Sequence, residues 1–362
     1  MKVVFISAAN SIHTVRWVNS LYERGSKITL ISLKNHENKE KNINSNIKII
    51  YLPISGIKGY YLNALFINRI IIKENPDIIN VHYASGYGTL GRFIHFKNKL
   101  LNVWGSDVYD FPHKSNFHKK VLIKNLSSYK EIASTSYVMA EKTKQYLKNN
   151  KNIYITPFGV DLNLFKNFNL DKKNDKIIIG TVKSLSEKYG MEYLIRAISE
   201  LESLVNKELF KKIEVRIYGD GALRESLISL TTYLNISEKV QFLGYIPNTD
   251  VATVINQMEI FVVPSIFNSE SFGVAAIEAM ACEVPVIVSD ADGLKEVVVE
   301  GETGFIVPKK NYKEIAKKIK LLIDDEGLRK KLGKNGRKRV EKLYNWDKNV
   351  ENMLEIYKEV IK

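Results

Sequence analysis

The chain has 362 residues, enough for two domains at about 150 residues each, and its 45% hydrophobic and 26% charged content is that of an ordinary globular protein. Lys and Arg number 54 against 40 Asp and Glu, a formal net charge of +14. The single cysteine, Cys282, excludes an intramolecular disulfide and a cysteine-rich zinc site and fits a reducing, cytoplasmic setting.

There is no HExxH pair and no run of about 18 apolar residues, so neither a zinc protease nor a membrane-spanning helix is expected. Three accounts of the positive charge compete: a solvated lysine-rich surface, attraction to anionic lipid headgroups, and nucleic-acid binding. No nucleic-acid motif accompanies the charge, so no nucleic-acid partner is expected.

Residues 3–7 read as a first buried strand and not as the core of a signal peptide. A helix is expected over 14–23, ending at Gly25, then strands over 28–32 and 47–51. A helix over 63–74 is stopped by Pro76, and strands follow over 77–82 and 99–103. Strand–helix alternation with nearly continuous apolar strands argues for a parallel sheet covered on both faces.

The rhythm pauses over 149–175, which contains Pro157, Gly159 and a polar tail and reads as a linker. A second series then begins. Strands are expected over 176–180, 215–218, 240–243, 260–263 and 286–289, with a helix over 192–204 and another from near Gly273 to Pro285. A lysine-rich helical tail over 309–340 and an amphipathic helix over 346–361 complete the chain. Two α/β domains are therefore expected, with ligand space at the carboxyl ends of their strands.

The stretch 264–304 carries the most chemistry. A strand ends near Val263 and a helix opens near Gly273, so Phe272, Gly273 and Val274 offer backbone N–H groups at a helix start. Donors and dipole there point the same way and suit a phosphate. Gly273 permits close approach of a ligand to the backbone. Glu270 precedes this helix start and Glu278 sits on the helix. A carboxylate accepts two hydrogen bonds in fixed geometry, which suits sugar hydroxyls. The plain alternative makes Glu270 a helix-dipole partner and Glu278 a surface residue. Ala275, Ala276, Ile277, Ala279 and Met280 point instead to a mostly buried helix, where a charge needs a partner.

The loop 180–190 contains Gly180, Lys183 and Lys188. Its two cations would stabilise a departing diphosphate; the alternative is that both are solvated. Residues 8–13 contain no glycine, which sets aside a dehydrogenase with a G-x-G-x-x-G turn. Residues 113–130 interleave His113, Lys114, His118, Lys119, Lys120, Lys124 and Lys130 with apolar side chains. They read either as a basic amphipathic helix resting on a membrane or as an ordinary surface helix.

Taken together, these segments resemble the large retaining glycosyltransferase family called GT4, or glycosyl transferases group 1. Glu270 to Glu278 matches its E-x7-E motif, and Gly293, Glu296, Val297, Gly301 and Gly304 follow in the family's order. Gly219-Asp220-Gly221, Phe242-Leu243-Gly244 and Pro157-Phe158-Gly159-Val160-Asp161 with Phe165 match as well. The resemblance implies a GT-B fold, two Rossmann-like α/β domains with parallel sheets facing an interdomain cleft. Residues 1–166 would form the acceptor-side domain, with the helix at about 346–362 packing back on it, and 167–345 the nucleotide-sugar domain.

It also implies roles. Glu278 would hold the donor ribose and Glu270 the transferred sugar. Phe272, Gly273 and Val274 would offer N–H groups to that sugar and its diphosphate, and Lys183 and Lys188 would contact the diphosphate. Gly180 and Gly219 would also lie on the donor side, with Tyr245 and Ile246 near the base. The first domain departs from the pattern. Asn10 and Ser11 stand in a loop where many relatives have a Gly-Gly pair, and Trp104 stands near the position of a family histidine. Asp107 is then a candidate contact for the sugar or acceptor, or a turn residue. His13 and His82 are the nearest substitutes for an imidazole.

The implied activity is retaining transfer of a hexose or N-acetylhexosamine from a nucleotide sugar, with UDP favoured, to a saccharide or lipid-linked acceptor in surface polysaccharide or glycolipid synthesis. No metal and no cofactor are expected. The departures motivate an alternative, a catalytically degenerate nucleotide-binding or assembly subunit. The expected location is cytoplasmic, with peripheral contact to an anionic membrane face.

Overall fold

The computed structural model describes residues 1–148, 151–170 and 176–362; residues 149–150 and 171–175 of the expected linker lie outside the described residues. The chain divides into two compact units, Met1–Phe158 with Asp347–Lys362, and Gly159–Trp346.

In the first unit the strands are β1 (Lys2–Ile6), β2 (Lys27–Leu33), β3 (Lys48–Leu52), β4 (Ile78–His82), β5 (Lys99–Val103), β6 (Glu131–Ser134) and β7 (Ile153–Ile155). They form one parallel sheet in the order β3-β2-β1-β4-β5-β6-β7. The helices are α1 (Ile12–Glu23), α2 (Gly56–Leu62), α3 (Ala64–Glu74), α4 (Gly86–Arg92), α5 (Ser106–Tyr109), α6 (Asn116–Ser127) and α7 (Tyr137–Lys144). Strands such as β4 and β5 are buried along their whole length because helices cover both sheet faces. Ile6, Ile31, Val81 and Leu101 from the strands pack with Ile67, Ile71, Leu90 and Leu122 from the helices.

The helix expected over 63–74 is α3 alone, and α2 precedes it. Buried Asn63 joins the two: its Nδ2 donates to Ile54 O at 2.8 Å and Gly59 O at 2.9 Å. Strands β6 and β7 were not anticipated, because β6 opens on a charged residue and β7 spans only three residues.

The second unit contains β8 (Ile177–Val182), β9 (Ile213–Tyr218), β10 (Val240–Gly244), β11 (Ile260–Val263), β12 (Val286–Ser289) and β13 (Gly304–Val307). They too form a parallel sheet, in the order β10-β9-β8-β11-β12-β13. Its helices are α8 (Met191–Leu204), α9 (Lys207–Lys212), α10 (Arg224–Tyr233), α11 (Asn248–Asn256), α12 (Val274–Ala281), α13 (Asp292–Val297), α14 (Tyr312–Asp324) and α15 (Glu326–Leu343). Residues 159–166, counted above with the first domain, pack here: Phe165 is buried and its carbonyl accepts from Arg337 Nη1 at 2.7 Å.

Two helix expectations are corrected. The tail over 309–340 is two helices, because Asp325 leaves the helical conformation and its side chain caps α15, accepting from Leu328 N at 2.7 Å. The helix expected to reach Pro285 stops at Ala281, and Glu283 follows with φ of 59°.

The final helix, α16 (Trp346–Ile361), has its residues from Asp347 onward in the first unit. Asp347 pairs with Arg24 at 2.5 Å, and buried Asn80 donates to Tyr357 Oη. Among the described residues no helix is long and apolar enough to cross a membrane.

Candidate active site

In an open parallel sheet, ligands bind beyond the carboxyl ends of the strands where strand order reverses. In the second unit that point lies between β8 and β11. The loop after β8 carries Lys183 and Lys188, and the loop after β11 carries Glu270.

These loops are tied together. Ile266 N donates to Lys188 O at 2.8 Å, and Lys188 Nζ donates to Ser269 O at 2.8 Å. Lys183 Nζ donates to Glu270 Oε1 at 3.0 Å, with the two side chains only 12% and 7% exposed. Tyr189 stands beside both cations, its ring centroid 4.7 Å from Lys183 Nζ and 5.4 Å from Lys188 Nζ.

The electrostatics follow from this packing. Burial works against the Lys183 ammonium, but Glu270, Tyr189 and Glu278 outweigh it and hold its pKa above the ordinary lysine value. Burial likewise raises the Tyr189 phenol, against the pull of Lys183. Thr181 Oγ1, Ser265 Oγ and Ser269 Oγ are buried without a hydrogen-bond partner. Polar atoms sealed in this way are costly unless something pairs with them, and here they flank the two loops.

Helix α12 opens at the end of the second loop. Gly273 is its N-cap, with φ of 85°, and Phe272 is buried against Tyr344 with ring centroids 5.5 Å apart. The first N–H groups of the helix have no acceptor within it. Glu278 is half-buried on the same helix, and its charge favours the Lys183 ammonium.

The reversal point of the first unit lies between β1 and β4. Asn10 is exposed, and Ser11 and His13 are half-buried, in the turn after β1. His13 stacks on Phe158 at 3.9 Å and meets Trp104 edge-on at 5.5 Å. His82 ends β4, fully buried, with Trp104 at 4.9 Å and Phe5 at 4.8 Å and neither ring nitrogen hydrogen-bonded. Burial, then the nearby His13, lowers its pKa to about 3, so the ring is neutral.

Asp107 is also fully buried. Its Oδ2 accepts from Ala84 N at 2.7 Å, and its Oδ1 from Gly105 N at 2.8 Å and Trp104 N at 3.1 Å. Burial raises its pKa against these donors. Its geometry is that of a residue that fixes the loops after β4 and β5. Among the described residues no group of three or more His, Cys, Asp or Glu side chains is placed to hold a metal ion.

Residues 164–339 match the family model described as Glycosyl transferases group 1, and residues 2–136 that described as Glycosyl transferase 4-like. An uncharacterized glycosyltransferase of Methanocaldococcus jannaschii is 31% identical over 337 residues, spanning 90% of this chain and 88% of its own length. The chain is a group 1 glycosyltransferase. The N,N'-diacetylbacillosaminyl-diphospho-undecaprenol alpha-1,3-N-acetylgalactosaminyltransferase of Campylobacter jejuni is 26% identical, with 100% of both chains covered. HepE of Anabaena, solved in complex with UDP, has the same fold, with a TM-score of 0.83 and 16% identity over 99% of this chain and 100% of its own.

Within this glycosyltransferase Gly180 and Gly219, expected on the donor side, have roles in packing. Gly180 lies inside β8, where a Cβ would meet Met258 Sδ at 2.3 Å. Gly219 has φ of 130°, and a Cβ there would lie 1.9 Å from Lys183 O. It lets the end of β9 seat the Lys183 loop, whose N–H donates to Tyr218 O at 2.9 Å. Tyr245 is 74% exposed and Ile246 half-buried just after β10.

Two positioning residues were not assigned a role from the sequence. Gly293 N donates to Glu270 O at 3.1 Å, and a Cβ on Gly293 would fall 2.2 Å from Phe272 N. Only glycine allows α13 to brace the Glu270 loop so closely. Tyr189 lies between Lys188 and Gly190, and an aromatic flanked by a lysine and a glycine was its only local signal.

Proposed function

We propose that this glycosyltransferase moves a sugar from a nucleotide-sugar donor to an acceptor hydroxyl with retention at the anomeric carbon. The observation that carries the reading is the sealed Lys183–Glu270 pair at the second unit's reversal point, beside Lys188 and the opening of α12. Two ammonium groups and a helix start suit a diphosphate. Glu270 and Glu278 offer acceptors for sugar and ribose hydroxyls.

In the proposed step the acceptor oxygen bonds to the anomeric carbon as the bond to the diphosphate oxygen breaks. The acceptor proton passes to the departing diphosphate on the same face, and Lys183 and Lys188 stabilise the charge left there. Asp107 and His82 support this course, because the one is committed to backbone donors and the other is sealed in an aromatic cluster. Lysines at the diphosphate make a metal unnecessary in this scheme.

A UDP donor is supported by the complex reported for HepE, and an N-acetylhexosamine with a lipid-linked acceptor by the printed activity of the Campylobacter relative. The pathway proposed is surface polysaccharide or glycolipid synthesis, which a capsular polysaccharide enzyme of Staphylococcus aureus, 35% identical over 56% of this chain, also supports.

The test is release of nucleoside diphosphate from a panel of nucleotide sugars, read by mass spectrometry. Glu270→Ala is expected to lower turnover by about 10²-fold or more, the loss typical of removing one transition-state contact. Undiminished turnover in that variant would remove the site assignment. Nucleotide binding without turnover on any saccharide or lipid acceptor would favour the degenerate subunit.

A further inference from the structure

The flank of the first unit formed by α2 and α3 is apolar where a surface is ordinarily polar. Ile57, Leu65 and Ile72 are 80%, 77% and 80% exposed, and Leu62 is 57% exposed. Tyr61 and Phe66 are exposed beside them. The inward side is different: Gly59, Asn63, Ile67 and Ile71 are buried at four-residue spacing, so helical register carries across Asn63. At about 100° per residue, Ile57, Tyr61, Leu65 and Ile72 then share one outward face. Exposed Lys58 and Arg69 lie at the edge of that face, and exposed Lys73 lies on its flank.

The charge on this face has one sign. Residues 56–73 contain Lys58, Arg69 and Lys73 and no acidic residue. At the C-terminal end of α3 the basic character continues. Lys2, Lys27, Lys48 and Lys73 line a cavity of about 240 Å³ in which Glu74 is the one acidic lining residue. The Glu74 carboxylate is engaged with Lys48 Nζ at 2.5 Å and Thr29 Oγ1 at 3.0 Å.

We infer that the α2–α3 face docks the protein on an anionic lipid surface, its apolar side chains entering the acyl boundary and its cations meeting the headgroups. A large exposed apolar patch marks an interaction surface, and the basic residues choose among its occupants. Against a second copy of the same face, Lys58, Arg69 and Lys73 would meet their own kind with no carboxylate to pair. Against anionic headgroups each gains a partner.

This relocates the membrane contact from residues 113–130. In α6, Val121, Leu122 and Leu126 are buried in the core, and Ile123 packs against it. Phe117, at 64% exposure, is the one large apolar side chain of α6 left outward.

The test is flotation of the full chain with vesicles of phosphatidylcholine alone or with added phosphatidylglycerol. The protein should float with the anionic vesicles, and Leu65→Glu/Ile72→Glu should weaken binding by about tenfold or more. Lys119→Glu/Lys120→Glu on α6 should change it less than threefold. Both altered apolar positions are surface positions, and unchanged thermal melting verifies that the variant folds.

Equal flotation of wild type and the Leu65/Ile72 variant would overturn the assignment. So would no flotation of wild type, or a dimer in sedimentation velocity that this variant abolishes. Sugar transfer is not part of the readout, so the outcome is independent of the proposed reaction.

Discussion

The Lys183 ammonium and the Glu270 carboxylate meet at 3.0 Å with almost no access to water. Each neutralises a charge that the other could not leave unpaired at that depth. A buried pair contributes little net stability, yet removing one half leaves a bare charge and costs about 3–5 kcal/mol. In the proposed reaction a bound diphosphate and sugar would offer each group a further partner.

The first prediction concerns that coupling. Glu270→Ala should destabilise the second unit, measured by denaturant unfolding, while Glu270→Ala/Lys183→Met should recover much of the loss. Glu278 also favours the Lys183 ammonium, so the single variant should fall at or below the low end of about 3–5 kcal/mol. Additive losses in the double variant would mean that the two groups do not interact.

Gly293 yields a second prediction. The Cβ of alanine would lie 2.1 Å from Ser271 C and 2.6 Å from Glu270 O, so backbone must move. Overpacking of this kind costs about 1–3 kcal/mol, and here the displaced segment carries Glu270 and the start of α12. Gly293→Ala should therefore lower the melting temperature and weaken donor binding together. Calorimetric titration with UDP showing wild-type affinity would separate the brace from the site.

Both α/β units were legible because their strands are short β-branched runs punctuated by turn residues. The helix start at Gly273 and the acidic pair Glu270 and Glu278 were legible because one segment holds them all. What local pattern could not give was who covers what. The apolar residues of α6 read equally well as facing lipid or core, and the core took Leu122 and Leu126. Asp107 read as either a sugar contact or a turn residue, because of its three donors Trp104 and Gly105 are its sequence neighbours but Ala84 comes from another loop. The break between α14 and α15 rests on one cap, Asp325, inside a lysine-rich run that otherwise reads as continuous helix.

Acid should expose the buried imidazole of His82. Its folded pKa is about 3, depressed from an ordinary value of 6.5. Between those values the unfolded chain binds more protons, so stability is full above about pH 6.5 and falls as pH drops toward 3. The slope from this one group is at most about 1.4 kcal/mol per pH unit. His82→Phe keeps an aromatic against Phe5 and Trp104 and removes the titration. Denaturant midpoints of the first unit at neutral pH and near pH 5 should differ less in the variant than in wild type. An equal difference would show that His82 is not the group responsible.

Cys282 should be inert in the folded protein. Burial, with Glu278 adding to it, pushes the thiol up to about 12. The residue is 2% exposed at the end of α12, and Arg337 Nη1 donates to the adjacent Ala281 carbonyl at 2.9 Å. Only the thiolate reacts, and relative to a free cysteine near 8.5 its population at neutral pH is about 10³-fold smaller before access is considered. A disulfide reagent should therefore label the native chain at least about 10³-fold more slowly than the denatured chain. Rapid labelling without loss of structure would mean that the α12–α15 packing opens readily, and the site at the other end of α12 would then lack a rigid support.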